Sequence, residues 1–307
     1  MTTSIAIIGA PSSIGIKPYA DGRARRLDLA PNALREQGLP AHTGARDLGD
    51  VVPPPYRDFV RPPNATRNEA GVAEYSQALA RQVAAAFSDG AFVVVLGGDC
   101  SIVLGCLLGA RQAGVAPVGL VYIDAHSDFA TPDESRTGSA ASMCLALAVG
   151  RGDTPLARLA GDEPLTRATD VVLIGKRDDD EPWYGQEAMR ALPILDIPDA
   201  SMRERGLAGT IAAALERVAR PELDGFWIHV DADVIDPSAV PAVDSPTPGG
   251  LGLDELASML IPLVRHPKAL GLELTIYDPE LDPDRASAAR LATLLERVLR
   301  ERTRTIA

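Results

Sequence analysis

Short runs of continuously apolar, β-branched-rich sequence recur along the chain, each followed by a longer Ala/Leu/Arg-rich segment. Residues 5–9, 92–96, 118–123, 171–174, 194–197, 226–230 and 269–274 form such runs. Helical spacing occupies 70–88, 102–112, 203–219, 253–264 and 286–300. Successive side chains of a strand point to opposite faces, so a strand apolar at every position has to be covered on both. Strands of this kind separated by helices predict an α/β fold with a parallel sheet between helical layers. The Pro/Gly-rich stretches 52–63 and 237–252 read as long loops, and neither carries a composition shift. Residues 1–307 are therefore read as one domain, a length that can bury a large core.

Composition narrows the class. The net charge of -12 at pH 7 repels nucleic acid and anionic membranes, so neither is expected as a partner. Apolar residues make up 46% and argue against disorder. Cys100, Cys106 and Cys144 are too few, and odd in number, for a disulfide framework, which favours a reducing, cytoplasmic setting. The first ten residues have no basic region leading into a long apolar run, and no membrane span is apparent.

The polar clusters carry the chemistry. Gly97-Gly98-Asp99-Cys100-Ser101, Asp124-Ala125-His126-Ser127-Asp128, Lys176-Arg177-Asp178-Asp179-Asp180 and Asp231-Ala232-Asp233 each follow an apolar run. In an open parallel sheet the carboxyl ends of the strands share one rim, where ligands bind. Alternate residues of an extended segment face the same way, so Asp124, His126 and Asp128 are expected to converge, as are Asp231 and Asp233. Carboxylates that close repel one another unless cations lie between them. Imidazole with several carboxylates suits Mn²⁺ or another first-row divalent ion, and bridging carboxylates suffice for two. A single Asp-x-Asp is more often a cap or turn, but two of them at strand ends outweigh that reading.

These residues resemble the signatures of the ureohydrolase family (arginase, agmatinase, formiminoglutamase). Gly97-Gly98-Asp99-x-Ser101, Asp124-Ala125-His126-x-Asp128 and Asp231-x-Asp233-x-x-Asp236-Pro237 look like its three motifs. Gly9-Ala10-Pro11, Ile174-Gly175-x-Arg177-Asp178 and Gly271-Leu272 follow in family order, so the similarity spans most of the chain. The resemblance implies a three-layer α/β/α fold with an eight-stranded, mostly parallel sheet. It also implies a binuclear manganese centre, a homotrimer or homohexamer, and hydrolysis of a guanidino or formimino C–N bond by metal-bridging hydroxide. Carried over, Asp124 and Asp231 bridge the ions, and His126 and Asp233 complete one of them. Asp128 binds the other and orients the nucleophile, and Asp180 falls where a carboxylate holds the substrate's amino group. The run from Asp178 to Glu181 reads equally as a solvated loop.

Departures from the family pattern bear on the substrate. Cys100 stands where the family has a histidine ligand. Either its thiolate ligates, which shifts the site toward Zn²⁺ or Fe²⁺, or it is a small buried residue. Ile276 occupies the position of the glutamate that clamps the guanidinium, and Glu273 lies an odd three residues away, facing the other side of a strand. After Thr137-Gly138, Ser139-Ala140-Ala141-Ser142 contains no proton-shuttle histidine. A guanidinium without its carboxylate is costly to desolvate, so ordinary arginase activity is not expected. His229, two residues before Asp231, reads as a further ligand, a general acid to the leaving amine, or a structural histidine. Arg136, in the loop after Asp128, reads as a partner for a substrate carboxylate or as a solvent-facing side chain. His42 and His266 lie outside the clusters and read as surface or packing residues.

The expectation is a hydrolase acting on a small guanidino, modified-guanidino, amidino or formimino substrate. Its rival is a catalytically weak relative that binds metal or ligand. A nucleotide-binding protein is disfavoured, because Gly97-Gly98 has no phosphate-loop Lys-Ser/Thr after it and belongs to no Gly-x-Gly-x-x-Gly.

Overall fold

The computed structural model describes residues 4–57, 61, 64–181 and 185–303. Part of the expected loop 52–63, namely 58–60 and 62–63, lies outside the described residues. Eight strands form one sheet: β1 (Ile5–Gly9), β2 (Arg46–Asp50), β3 (Phe92–Leu96), β4 (Val118–Ile123), β5 (Val171–Ile174), β6 (Leu195–Ile197), β7 (Gly225–Asp231) and β8 (Ala269–Thr275). Their order is β2-β1-β3-β8-β7-β4-β5-β6, and every neighbouring pair is parallel. Each residue of β1, β3, β4, β5 and β7 is buried, which is why these segments are apolar without alternation.

Helices complete three layers. On one face lie α3 (Glu69–Ser88), α4 (Ile102–Gln112) and α5 (Cys144–Ala148). On the other lie α1 (Ala30–Glu36), α2 (Leu39–Thr43), α7 (Asp199–Val218), α8 (Leu253–Arg265) and α9 (Ala286–Thr303), while α6 (Gln186–Arg190) precedes β6. Among the described residues, no helix is long and apolar enough to cross a membrane.

Two features differ from the sequence expectation. The strand β2, Arg-Asp-Leu-Gly-Asp, has no apolar run because it is the sheet's outer edge and mostly exposed. Charge on an edge blocks pairing with another chain, so its polarity is part of its role. Arg35 of α1 holds it through Asp47 and Asp50. The helix expected over 203–219 starts earlier, at Asp199, and is broken at Gly206, whose φ of 73° no regular helix contains.

Candidate metal centre

Strand order decides which clusters meet. The strands β3, β8, β7 and β4 are consecutive neighbours, so the segments after Leu96, Thr275, Asp231 and Ile123 emerge side by side on one rim. After β3 the chain turns through Gly97-Gly98, where a side chain at Gly98 would put its Cβ 2.0 Å from the carbonyl oxygen of Ser12. The turn delivers Asp99 into the interior. There it accepts hydrogen bonds from Ser12 Oγ (2.8 Å) and from the backbone N–H groups of Gly15 (3.1 Å) and Ser101 (3.0 Å). Asp99 is thus a brace that ties the loop after β1 to the loop carrying Cys100. Gly98→Ala is expected to destabilise the fold by about 1–3 kcal/mol or more, because the obstructing atom is backbone; urea denaturation would measure it, and an unchanged midpoint would refute the close approach.

The aspartates converge by turns, which corrects the extended-segment expectation. The strand β4 ends at Ile123, before the cluster, and residues 232–234 form a short 3-10 turn. The carboxylate of Asp124 accepts the N–H of His126 at 2.7 Å, and that of Asp231 accepts the N–H of Asp233 at 2.8 Å. Each Asp thereby folds its own backbone two residues on. The curl brings His126 Nδ1 within 3.0 Å of Asp233 Oδ2 and 3.6 Å of Asp124 Oδ1. Asp128, with φ 45°, accepts a hydrogen bond from the Tyr122 hydroxyl at 2.7 Å.

The electrostatics of this cluster call for a cation. Burial, and then the neighbouring Asp233, push Asp124 up to about 6. Burial, with the other aspartates, holds Asp128 and Asp231 well above the ordinary carboxylate range. Burial alone would lower His126, but the carboxylates of Asp233 and Asp124 reverse this and raise it. Two sets of donor atoms lie within 4.8 Å of one another: Cys100, Asp124, His229 and Asp231, and Asp124, His126 and Asp233. The two sets share Asp124. Asp124 Oδ2 and His229 Nε2 are both buried and without a hydrogen-bond partner in the structure. Orphaned buried polar atoms are rare, and these two face a cluster of anions, so the residues fit a pair of divalent ions.

Cys100 and His229 lie within that cluster. The Cys100 thiol donates to Asp231 Oδ2 at 2.9 Å, and burial with the surrounding carboxylates pushes its pKa well up. His229 is fully buried, its ring stacked on Tyr122 at 4.0 Å between centroids. Its Nδ1 is 2.7 Å from Glu273 Oε1. Glu273 is thus a site residue that sequence reasoning assigned no role, and it lies directly opposite His229 in the register of β7 and β8. An acidic residue inside an otherwise apolar strand was the available signal.

A cavity of about 160 Å³ opens over the cluster, lined in part by Cys100, His126, Asp128, Asp231, Asp233 and Ile276. Ile276 is 4% exposed with φ 67°, a conformation that a β-branched residue adopts only under constraint from its surroundings. Ser139, Ala141 and Ser142 also line it, with no histidine among them. Asp180 and Arg136 are exposed and are not lining residues. The cluster around Asp180 is divided: Asp178 is buried and accepts from Ser127 N (2.8 Å) and Oγ (2.7 Å), while Arg177 donates to the carbonyls of Asp233 (3.1 Å) and Thr247 (3.0 Å). Arg177 and Asp178 therefore brace the loops that carry the clustered aspartates and His126. Asp236 does the same for 237–252, accepting from Ser238 N and Gly249 N at 2.9 Å each. His42 pairs with Glu296 on the surface, and His266 packs near Phe226.

A parallel α/β/α sandwich with two sets of buried Asp, His and Cys donors on its carboxyl rim has the makings of a metal-dependent enzyme. A sequence model described as Arginase family matches residues 3–300. The arginase of Bacillus caldovelox is 31% identical over 300 residues, covering 95% of this chain and 96% of its own. The arginase of Brevibacillus brevis is 29% identical over 303 residues, covering 97% and 98%. The native crystal structure of the Bacillus caldovelox arginase superposes with a TM-score of 0.86 over 97% of this chain and 98% of that one. The chain belongs to the arginase family, and it is a ureohydrolase-type enzyme that hydrolyses guanidino or amidino C–N bonds.

Proposed function

We propose that the enzyme acts on a small, linear modified-guanidino, amidino or formimino substrate rather than on free arginine. The observation that carries this is Ile276, a buried aliphatic side chain in the cavity wall at the position expected to hold a guanidinium-clamping carboxylate. In this reading two divalent ions would be held by Asp124, Asp231, His126, Asp233, Asp128 and Cys100, with His126 and Asp233 serving one of them and Asp128 and Cys100 the other. Mn²⁺ is the default, and Zn²⁺ or Fe²⁺ is favoured to the extent that Cys100 ligates. When bound, the ions supply a water acidified to near neutrality and polarise the carbon under attack.

The chain's own residues do the rest. Asp128 takes the Tyr122 hydroxyl on Oδ2, which leaves Oδ1 to accept a hydrogen bond from the attacking water and aim it. The buried floor of the cavity excludes bulk water, strengthening each charge interaction there. The same reading carries a homotrimer or homohexamer and a cytoplasmic location, in keeping with three buried free cysteines.

The test is a product screen of the metal-loaded protein, with urea, ammonia and formamide measured separately. Turnover of a formimino or substituted guanidino compound is expected, with arginine poorer by about 100-fold or more in kcat/KM, the scale of a lost buried ion-pair partner. Ile276→Glu is expected to narrow that gap by improving arginine. If arginine is the best wild-type substrate, the proposal is wrong. The absence of turnover with both ions bound would instead support a metal-binding relative of low activity.

A further inference from the structure

Below the cavity floor, His229 on β7 and Glu273 on β8 are paired residues of adjacent parallel strands, and both are fully buried. Glu273 Oε1 lies 2.7 Å from His229 Nδ1, and its Oε2 accepts the Trp227 indole N–H. A carboxylate on Nδ1 places the imidazole proton there and leaves Nε2 as a bare acceptor. That atom has no hydrogen-bond partner, and Asp124 Oδ2, 3.9 Å away, has none either. The Tyr122 ring, inclined by 18° to the imidazole, holds its plane. Cys100 Sγ and an Asp231 oxygen complete a set of four donors. What surrounds Nε2 is therefore a thiol and two carboxylates, a setting that a cation satisfies and a further acceptor does not. A general acid would need a proton on Nε2 and contact with the leaving group, whereas His229 is fully buried and not among the lining residues.

We propose that Cys100 and His229 together ligate one ion of the pair, His229 through Nε2, with Glu273 as its positioning residue. The position then offers sulfur and nitrogen beside the carboxylates of Asp124, Asp231 and Asp128, and the added thiolate and imidazole favour Zn²⁺, Co²⁺ or Fe²⁺ over Mn²⁺. This rests on the two-ion reading given above. Ion entry displaces the proton that the Cys100 thiol now shares with Asp231, and that proton leaves to solvent as the metal–sulfur bond forms.

Metal-stripped full-length protein reloaded with Co²⁺ tests the proposal without any substrate. Wild type is expected to bind two ions per chain by elemental analysis and to show a sulfur-to-cobalt charge-transfer band. Cys100→Ser should lose the band. His229→Ala should bind one ion instead of two. Glu273→Gln, similar in shape, should weaken that position about 10–100-fold, the usual scale for a residue that orients a metal-bound histidine. Circular dichroism checks folding, and Cys100→Ser carries the test if His229→Ala does not fold. Two cobalt ions without the band, or unchanged stoichiometry and affinity in His229→Ala, would overturn it. A band without turnover of any modified-guanidino, amidino or formimino compound would defeat only the substrate reading above, and such turnover without a band only this one.

Discussion

Asp124→Ala is expected to remove both ions and to lower kcat/KM by at least about 10³-fold, matching the loss produced by chelating the wild-type protein. Asp124 is the one residue common to both donor sets, so no single ion position survives its removal intact. Its carboxylate is buried and pushed up to about 6, chiefly by burial and next by Asp233. A group held so far from its ordinary ionisation range, in a cleft and beside further carboxylates, gains most when a cation arrives. Asp233→Ala makes the contrast. It belongs only to the set with His126, so it should release one ion and leave the position at Cys100 and Asp231 loaded. Elemental analysis of the two variants separates these outcomes; two ions retained by Asp124→Ala would refute the shared-ligand assignment.

The sheet was legible wherever a strand is buried on both faces, because burial leaves an uninterrupted apolar run, as in Phe92–Leu96. At the edge, Arg46–Asp50 is exposed and charged, and nothing in its composition distinguishes it from a loop. The clustered aspartates were legible because each cluster follows such a run. How they converge was not: the carboxylates of Asp124 and Asp231 bend their own backbone through hydrogen bonds, and strand parity does not describe that geometry. The pairing of His229 with Glu273 depends on the register of strands 44 residues apart. Apolar runs fix that two strands exist, whereas register comes from packing over the whole sheet. For the same reason the acidic run at 178–180 gave no hint that Asp178 turns inward to Ser127 while Asp180 stays in solvent.

Metal-free protein is expected to lose stability as pH rises from about 4 to 7, the reverse of ordinary acid denaturation. Asp124, Asp128 and Asp231 all have pKa values raised on folding, burial being the first cause in each. Below the unfolded value, near 4, both states hold these protons and the carboxylates exert no net effect. For Asp124 the penalty grows between about 4 and about 6, where the unfolded chain has lost the proton and the folded one retains it, and it is full above that window. His126 acts in the same direction. Its raised pKa gives stability that is present below the unfolded value, near 6.5, and lost as pH passes through the folded value. Asp233, lowered by His126 against the effect of its burial, acts in the opposite sense, as do Glu134, Asp179, Asp236 and Asp282 elsewhere, but what they contribute is lost only as pH falls below the unfolded carboxylate value, near 4, outside this window. Divalent ions cancel the repulsion, so saturating metal at pH 7 should contribute about 3–4 kcal/mol for each ion bound at 100–1,000 times its Kd. For a domain of this size that is on the order of 10 °C in Tm. Urea denaturation of stripped and loaded protein at pH 4.5, 5.5 and 7 would measure both effects. A stripped protein that grows more stable across this range would mean that the aspartates do not face one another as described.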